Sequence, residues 1–409
     1  MKASQFPVKQ AATPLPWLGF GLCVVAYLMG GTASTLMATY LPIVVPPLLE
    51  QDASEARLGE VSAWINAVYL YGWMAGGLLF GPFADRLGRV RAMAFVTGLS
   101  GLGMLATAYV PTLESLLLAR FLTGAGVGGV LLIATVYLSE VWPEKSRPVA
   151  LGILSTTFPV GIVGTGLLVN GLTNWRLAFG IGLIPVLLAV LVFTLLPESK
   201  VWQAGKSLES TRTPGLFQTE NRVNLMSATL IFGAVLIGLW GIFGWLPTWV
   251  QSLLPVGEAG QTERGITMML LGSGGILGGI ASGFLVRTFG PRQTLMATFA
   301  ACIGACSLLF LTNHTFSPII YGELALLALF LGLSQGVLSS YVPALFPAPI
   351  RATATGFCFN VGRLFTATAV LFTGILVAVL GGFSNTLLLF SSAFVVALGA
   401  IWMQSPRSN

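Results

Sequence analysis

"YLSEVWPEKSRPVALG", Tyr137 to Gly152, returns later in the chain as "YVPALFPAPIRATATG", Tyr341 to Gly356. Tyr137/Tyr341, Pro143/Pro347, Arg147/Arg351 and Gly152/Gly356 all stand at one offset of 204 residues. A second pair of loops agrees within two residues of that offset. "GPFADRLGRVR", from Gly81, and "GFLVRTFGPR", from Gly283, align through Gly81/Gly283 and Gly88/Gly290. Single glycine matches mean little in a chain with 50 glycines, but a shared offset across two separate loops does not arise from composition. The chain is one unit written twice.

The repeated unit belongs in a membrane. Of 409 residues, 55% are hydrophobic and 8% charged, where a soluble domain carries about 25% charged residues. Mean hydropathy is +0.86. Apolar runs of roughly 20 residues recur, the length that carries a helix across a bilayer. The short alternating segments of a β-barrel do not appear. The first run, Trp17 to about Val45, is longer than a signal-peptide core, and no small-residue cleavage site ends it early, so it reads as a retained span. About twelve spans follow from the pattern, beginning near Trp17, Val61, Ala92, Ser115, Val149, Leu177, Leu225, Ile266, Thr294, Ile319, Thr353 and Thr386. The longest polar connection, 197–224, separates an N-terminal six-helix bundle (1–196) from a C-terminal one (225–409). The expected fold is all-α and polytopic, with 12 transmembrane helices in two bundles related by a pseudo-twofold axis. Parallel six-helix repeats of this kind characterise alternating-access carriers.

Charge sets the expected orientation, because Lys- and Arg-rich loops stay cytoplasmic. With the N-terminus inside, only Arg57, Arg176 and Arg264 fall on the outer side, and Arg120 and Arg363 fall within spans. Every other Lys and Arg lies inside, and so do both termini. The net charge of +6 is then a consequence of topology, and no nucleic-acid partner is expected. The four cysteines (Cys23, Cys302, Cys306, Cys358) lie in apolar segments, where packing is the default. The single histidine, His314, sits in a loop, so neither a metal nor another cofactor is expected. No HExxH motif or P-loop occurs. A membrane enzyme, a primary pump and a non-transporting receptor therefore have little in the residues to support them.

The loop between the second and third spans resembles the signature of the major facilitator superfamily. It matches Gly-x-x-x-Asp-Arg-x-Gly-Arg-x-Arg through Gly81, Asp85, Arg86, Gly88, Arg89 and Arg91. "ARFLTGAGVGG" resembles that superfamily's fourth-span motif through Arg120, Gly124 and Gly126. "EVWPEKSR" and "PESKVW" resemble elements of its sugar-porter and organic-acid branches, and "LFPAPIRATATGFCFNVGR" resembles the eleventh-span region of its organic-acid:proton symporters. The likeness covers essentially the whole chain. It implies a secondary transporter in the inner (cytoplasmic) membrane, a monomer in lipid, moving a small molecule by alternating access.

In the loops, Asp85 can pair with arginines and with a helix N-terminus, and Glu140 with Arg147 offers a second clamp. Such charge pairs can hold in one carrier state and part in the other. In the second half Arg287 replaces Asp85 and Ala344 replaces Glu140, so gating electrostatics should lean on the first half, with Arg351 the surviving cation. Gly124 with Gly128, and Gly279 with Gly283, have the spacing of close helix packing.

Arg363 lies twelve residues beyond Arg351, roughly 18 Å up a helix and so near the bilayer centre. A charge there costs at least about 3 kcal/mol even on the lenient insertion scale. Asn360, three residues earlier, shares its face. The pair can hold a carboxylate, guanidinium for charge and amide for orientation. No carboxylate in the sequence sits clearly mid-span, which favours a substrate anion, the alternative being backbone carbonyls of a broken helix. Arg120 lies near the outer end of the fourth span and could snorkel outward; a structural or gating role weighs as much as substrate contact. Thr35, Thr39, Asn66, Tyr69, Trp240, Trp245, Ser334 and Gln335 are further cavity-lining candidates, each equally readable as helix packing. Trp245 and Trp249 suit an aromatic belt at the outer interface.

Organic-acid symporters of the superfamily carry an acidic pair in the first span, whereas "AYLMGGTASTLMATYLP", Ala26 to Pro42, has no acid. Proton coupling could run through Glu140, Asp85 or the substrate's own carboxyl group, and uniport or exchange stays open. The leading expectation is a carrier of a small organic anion, an aromatic, sugar-derived or hydroxy acid. The rival is a neutral-sugar or drug carrier.

Overall fold

A computed structural model describes residues 15–49, 55–205, 217–255, 257–347 and 350–403. Both chain ends, Glu50, Asp52 and the middle of the central connection (206–216) lie outside that set, as do the expectations placed on them. The described residues form no strand. In lipid, backbone N–H and C=O groups must be satisfied within the segment, so long apolar stretches have no other option than helix.

Eleven helices are long and apolar enough to cross a membrane, and a bent pair makes a twelfth. In order they are α1 (Leu15–Val44), α2 (Glu55–Leu87), α3 (Arg89–Tyr109), α4 (Leu113–Val141), α5 (Arg147–Gly171) and α6 (Trp175–Leu195). The second half follows with α7 (Asn221–Ser252), α8 (Gln261–Phe289), α9 (Pro291–Thr312) and α10 (Ile319–Ala344). In α11, Arg351–Leu371 continues after a 45° bend as Thr373–Leu380, and α12 is Phe383–Met403. The protein is thus a multi-pass helical membrane protein of two six-helix bundles.

The repeat extends to hydrogen bonds. Arg147 Nη2 donates to the carbonyl of Trp142 (3.4 Å), and Arg351 Nε donates to that of Phe346 (3.3 Å), each five residues back. Gly88 and Gly290 open α3 and α9 with φ of 109° and 79°, a region that disfavours any side chain.

The bundles meet through α5 against α8, α2 against α11, and α1 against the end of α7. At the end away from the arginine-rich loops the approach is backbone to backbone. A Cβ added to Gly166 would lie 2.4 Å from the Gly265 carbonyl oxygen, and one added to Gly374 would lie 2.4 Å from the Glu60 nitrogen. Gln261 Nε2 also donates across to the Val169 carbonyl (2.5 Å). Gly283 is exposed, with nothing within 4 Å of where a Cβ would stand, so it does not mark close packing as expected. Gly279 does, since its Cα lies 3.4 Å from where a Gly336 Cβ would stand, in the packing of α8 on α10. Gly124 and Gly128 do pack tightly, against the Tyr69 and Trp73 carbonyls.

The aromatic-belt expectation is also corrected. Trp245 and Trp249 are both fully buried, at and just after a break in α7 around Gly244. Trp249 Nε1 donates to Ser384 Oγ (2.8 Å), and Trp245 packs on Phe383.

Candidate functional site

Helices α1, α2, α7 and α11 converge on a small cavity of about 20 Å³, room for about one water. Thr35, Asn66, Tyr69 and Trp240, all singled out from sequence, line it together with Ser34 and Val370. Period 3.6 explains the convergence: Asn66 and Tyr69, like Thr35 and Ala38, recur on one face of their helices. Most of the lining is already hydrogen-bonded. Ser34 Oγ and the Tyr69 hydroxyl share a bond (2.6 Å), and Thr35 Oγ1 pairs with Thr165 Oγ1 (2.9 Å). Asn66 Nδ2 is buried with no partner. Thr39 does not reach the cavity, because its hydroxyl returns to the Leu36 carbonyl (2.7 Å). Gln335 lies apart on α10, its buried Nε2 unpartnered.

Beside this cavity lies an aromatic cluster around Trp73. The Trp73 ring meets Trp240 (5.4 Å), Phe158 (5.8 Å) and Tyr69 (5.9 Å), joining α2 to α5 and α7. Arg363 enters this cluster from α11. Its guanidinium carbon stands 4.1 Å from the centroid of Trp73 and 4.3 Å from that of Phe359. The side chain is 3% exposed, and among the described residues it forms no ion pair. Two cation–π contacts, each about 2 kcal/mol when desolvated, roughly offset the cost of the charge. They leave the donor edge unmet: Nε is buried with no hydrogen-bond partner. The cation is therefore lodged, and its N–H groups remain available. The alternative of bonds to carbonyls of a broken helix finds no such bond here.

Asn360 sits on the same face, against Gly77 of α2, as the spacing predicts. Its Nδ2 donates to the Gly356 carbonyl (2.9 Å), and its buried Oδ1 has no partner. Arg120 does not snorkel outward. It is 1% exposed, lies 4.5 Å from the Tyr69 ring, and donates from Nη2 to the Ala33 carbonyl (3.4 Å).

At the arginine-rich end, Arg89 Nη1 pairs with Asp85 (2.5 Å) and its Nη2 with Glu140 (3.1 Å). This corrects the Glu140–Arg147 clamp, because Glu140 is drawn to Arg89 and Arg147 turns to the Trp142 carbonyl. The acid at the N-terminus of α3 is likewise Glu198 rather than Asp85. Its Oε1 accepts from Arg89 N (2.8 Å) and Val90 N (3.2 Å), where the helix dipole favours an anion. Gly88 is required there, since its Cβ would meet Glu198 Oε2 at 2.3 Å. These pairs all lie within the first bundle and bridge α2, α3, α4 and the segment after α6. Arg86 and Arg351 are exposed, and Gly81 touches only Leu132.

Sequence reasoning missed Trp73, Phe359 and Glu198. Trp73 follows Tyr69 by four residues and Phe359 precedes Arg363 by four, so each shares a face with a residue already chosen. Glu198 stood within the quoted "PESKVW" stretch, but nothing local marked it as the partner of the α3 N-terminus.

The profile of the Major Facilitator Superfamily matches residues 22–367 of the chain. A cis,cis-muconate transport protein of Acinetobacter baylyi is 31% identical over 343 residues, 78% of this chain and 80% of the relative. The 4-hydroxybenzoate transporter PcaK of Pseudomonas aeruginosa is 27% identical over 402 residues, 87% and 84% of the two chains. The crystal structure of a D-xylose-proton symporter superimposes with a TM-score of 0.78 at 18% identity, covering 96% of this chain and 98% of the other. At that identity it speaks for the fold alone.

Proposed function

The chain belongs to the Major Facilitator Superfamily and is a small-molecule transporter rather than an enzyme, and from that premise we propose that it carries an organic anion by alternating access. The observation that carries the reading is Arg363: a buried cation between two aromatic rings, with no fixed counter-ion and an unmet donor edge. A carboxylate in the plane of the guanidinium supplies both the missing charge and the missing acceptor. The surrounding Trp73, Tyr69, Trp240 and Phe158 favour a planar aromatic or unsaturated acid, whose flat face stacks on rings. Muconate and 4-hydroxybenzoate, named for two relatives, are acids of that description.

In this proposal residues 1–196 and 225–409 rock against each other about the α2–α11 and α5–α8 contacts. The end where the glycines interlock closes while the arginine-rich end opens. The arginine-rich loops and both chain ends face the cytoplasm, and the protein works as a monomer in the cytoplasmic membrane. The gate residues Gly81, Asp85, Arg86, Gly88, Arg89, Arg120, Glu140, Arg147 and Arg351 act by holding bundle geometry. Transport is coupled to protons. Asp85 and Glu140, both paired to Arg89, are the acids whose protonation would loosen that pairing, and α1 carries none.

Proteoliposome uptake of labelled cis,cis-muconate, 4-hydroxybenzoate, niacin and their uncharged amides, with and without an inward proton gradient, tests this. The expected result is gradient-stimulated uptake of at least one carboxylate and none of its amide. Uptake of the neutral compounds or of xylose instead would assign the chain to the neutral-solute rival.

A further inference from the structure

The interlocked end of the molecule contains a third buried arginine, which the proposed pathway does not use. Arg264, in the first turn of α8, counts from sequence as one of three outer-loop cations, yet it is fully buried. Its Nη1 donates to Gln251 Oε1 and to the Ala259 carbonyl (2.8 Å), which holds the guanidinium against the end of α7. Gln251 is held in turn, its Nε2 donating to the Glu258 carbonyl (3.0 Å). Among the described residues Nε and Nη2 have no hydrogen-bond partner. Those two donors form the side-on edge that accepts a carboxylate with two parallel bonds.

The wall opposite belongs to the other bundle. Tyr40 of α1 is the neighbour on that side, and its hydroxyl is spent on the Leu172 carbonyl (2.6 Å). Among the described residues the acid that acts on it electrostatically is Glu263, adjacent in sequence, and no ion pair forms with it. Gln261, one turn before Arg264, donates across to Val169, and Gly265 lies against Gly166. Arg264 is thus sealed by the contact that must part when this end opens, while its own fixing bonds stay within the second bundle. Leaving charged donors unmet in a closed interface is costly, so closure is tolerated and opening uncovers a pre-positioned fork.

We propose that the Nε–Nη2 edge of Arg264 is a second carboxylate site, at the end opposite the arginine-rich loops, filled when the bundles part there. It is a separate station from Arg363 and takes a monocarboxylate or one arm of a larger acid before the acid moves inward. The proposal rests on the chain being an organic-anion carrier.

Oriented proteoliposomes give the KM for labelled 4-hydroxybenzoate, or for cis,cis-muconate where that is the acid taken up, from each face separately. Arg264→Gln should raise the KM at the Arg264 face roughly tenfold and leave the opposite face within about twofold. Arg264→Lys, which keeps the charge and loses the fork, should fall between, and high salt should raise the wild-type KM at that face. KM shifts of opposite sign at the two faces, or a loss of kcat alone, would mean that Arg264 only tunes the closure equilibrium, and the proposal falls. Should Arg264→Gln not fold, the lysine variant and the salt series decide, and a wild-type KM indifferent to salt overturns the site. Wild-type protein that moves no carboxylate removes the carrier reading itself; wild-type transport with an unaltered Arg264→Gln removes this site alone.

Discussion

Arg89 and Arg363 are the same side chain solved in two ways. Arg89, at the mouth of the first bundle, has Asp85 and Glu140 on its guanidinium and Glu198 on its backbone nitrogen. Arg363, at the centre, has two aromatic rings and no carboxylate. The first has every obligation met by neighbours that belong to its own bundle, so it can stabilise that bundle but has nothing left to offer a ligand. The second is held in place by two rings while its edge stays unspent. Charge pairing anchors structure; stacking without pairing leaves chemistry available.

The strongest way to break this contrast is at the centre. Arg363→Gln should lower carboxylate uptake at least about 100-fold, the scale of removing one partner of a desolvated charged hydrogen bond, with Arg363→Lys recovering a minor part. Near-normal uptake by Arg363→Gln in the proteoliposome assay would make the central arginine as structural as Arg89. The converse test comes next in size. Arg89→Gln removes a pair whose members Arg89 and Glu140 are each 13% exposed, and should lower unfolding stability by about 1–3 kcal/mol. Thermal unfolding in detergent measures it, and KM should stay put; a lost KM would blur the distinction. Asn360→Ala should matter least, changing KM by less than about twofold, because its amide nitrogen is already committed to Gly356. A larger rise in KM would show that the amide leaves its helix to meet the acid.

Much of the architecture was legible in the chain. The offset that pairs Arg147 with Arg351 reappears as bonds to the Trp142 and Phe346 carbonyls, each five residues back, because the shared Pro and Arg spacing sets a similar turn into the next helix. Thr35, Asn66, Tyr69 and Trp240 could be chosen because polar and aromatic residues inside long apolar runs are few. The errors share a cause. Trp245 and Trp249 were read by their place near a span end, and both proved fully buried. Glu140 was assigned to Arg147, seven residues on, and its partner in space proved to be Arg89. Gly283 carries the spacing of close packing, yet the position is exposed, which spacing alone does not reveal.

By itself, then, the sequence determined that this is a twelve-span, twice-repeated membrane protein with a stranded central arginine, because hydropathy, repeat offset and charge placement are one-dimensional quantities. Tertiary structure alone decided that Arg363 is stacked on Trp73 and Phe359, that Arg120 and Arg264 are buried, and that the bundles interlock at one end. Those facts depend on distances between helices far apart in the chain, where a few ångströms decide whether a cation meets an acid, a ring or nothing.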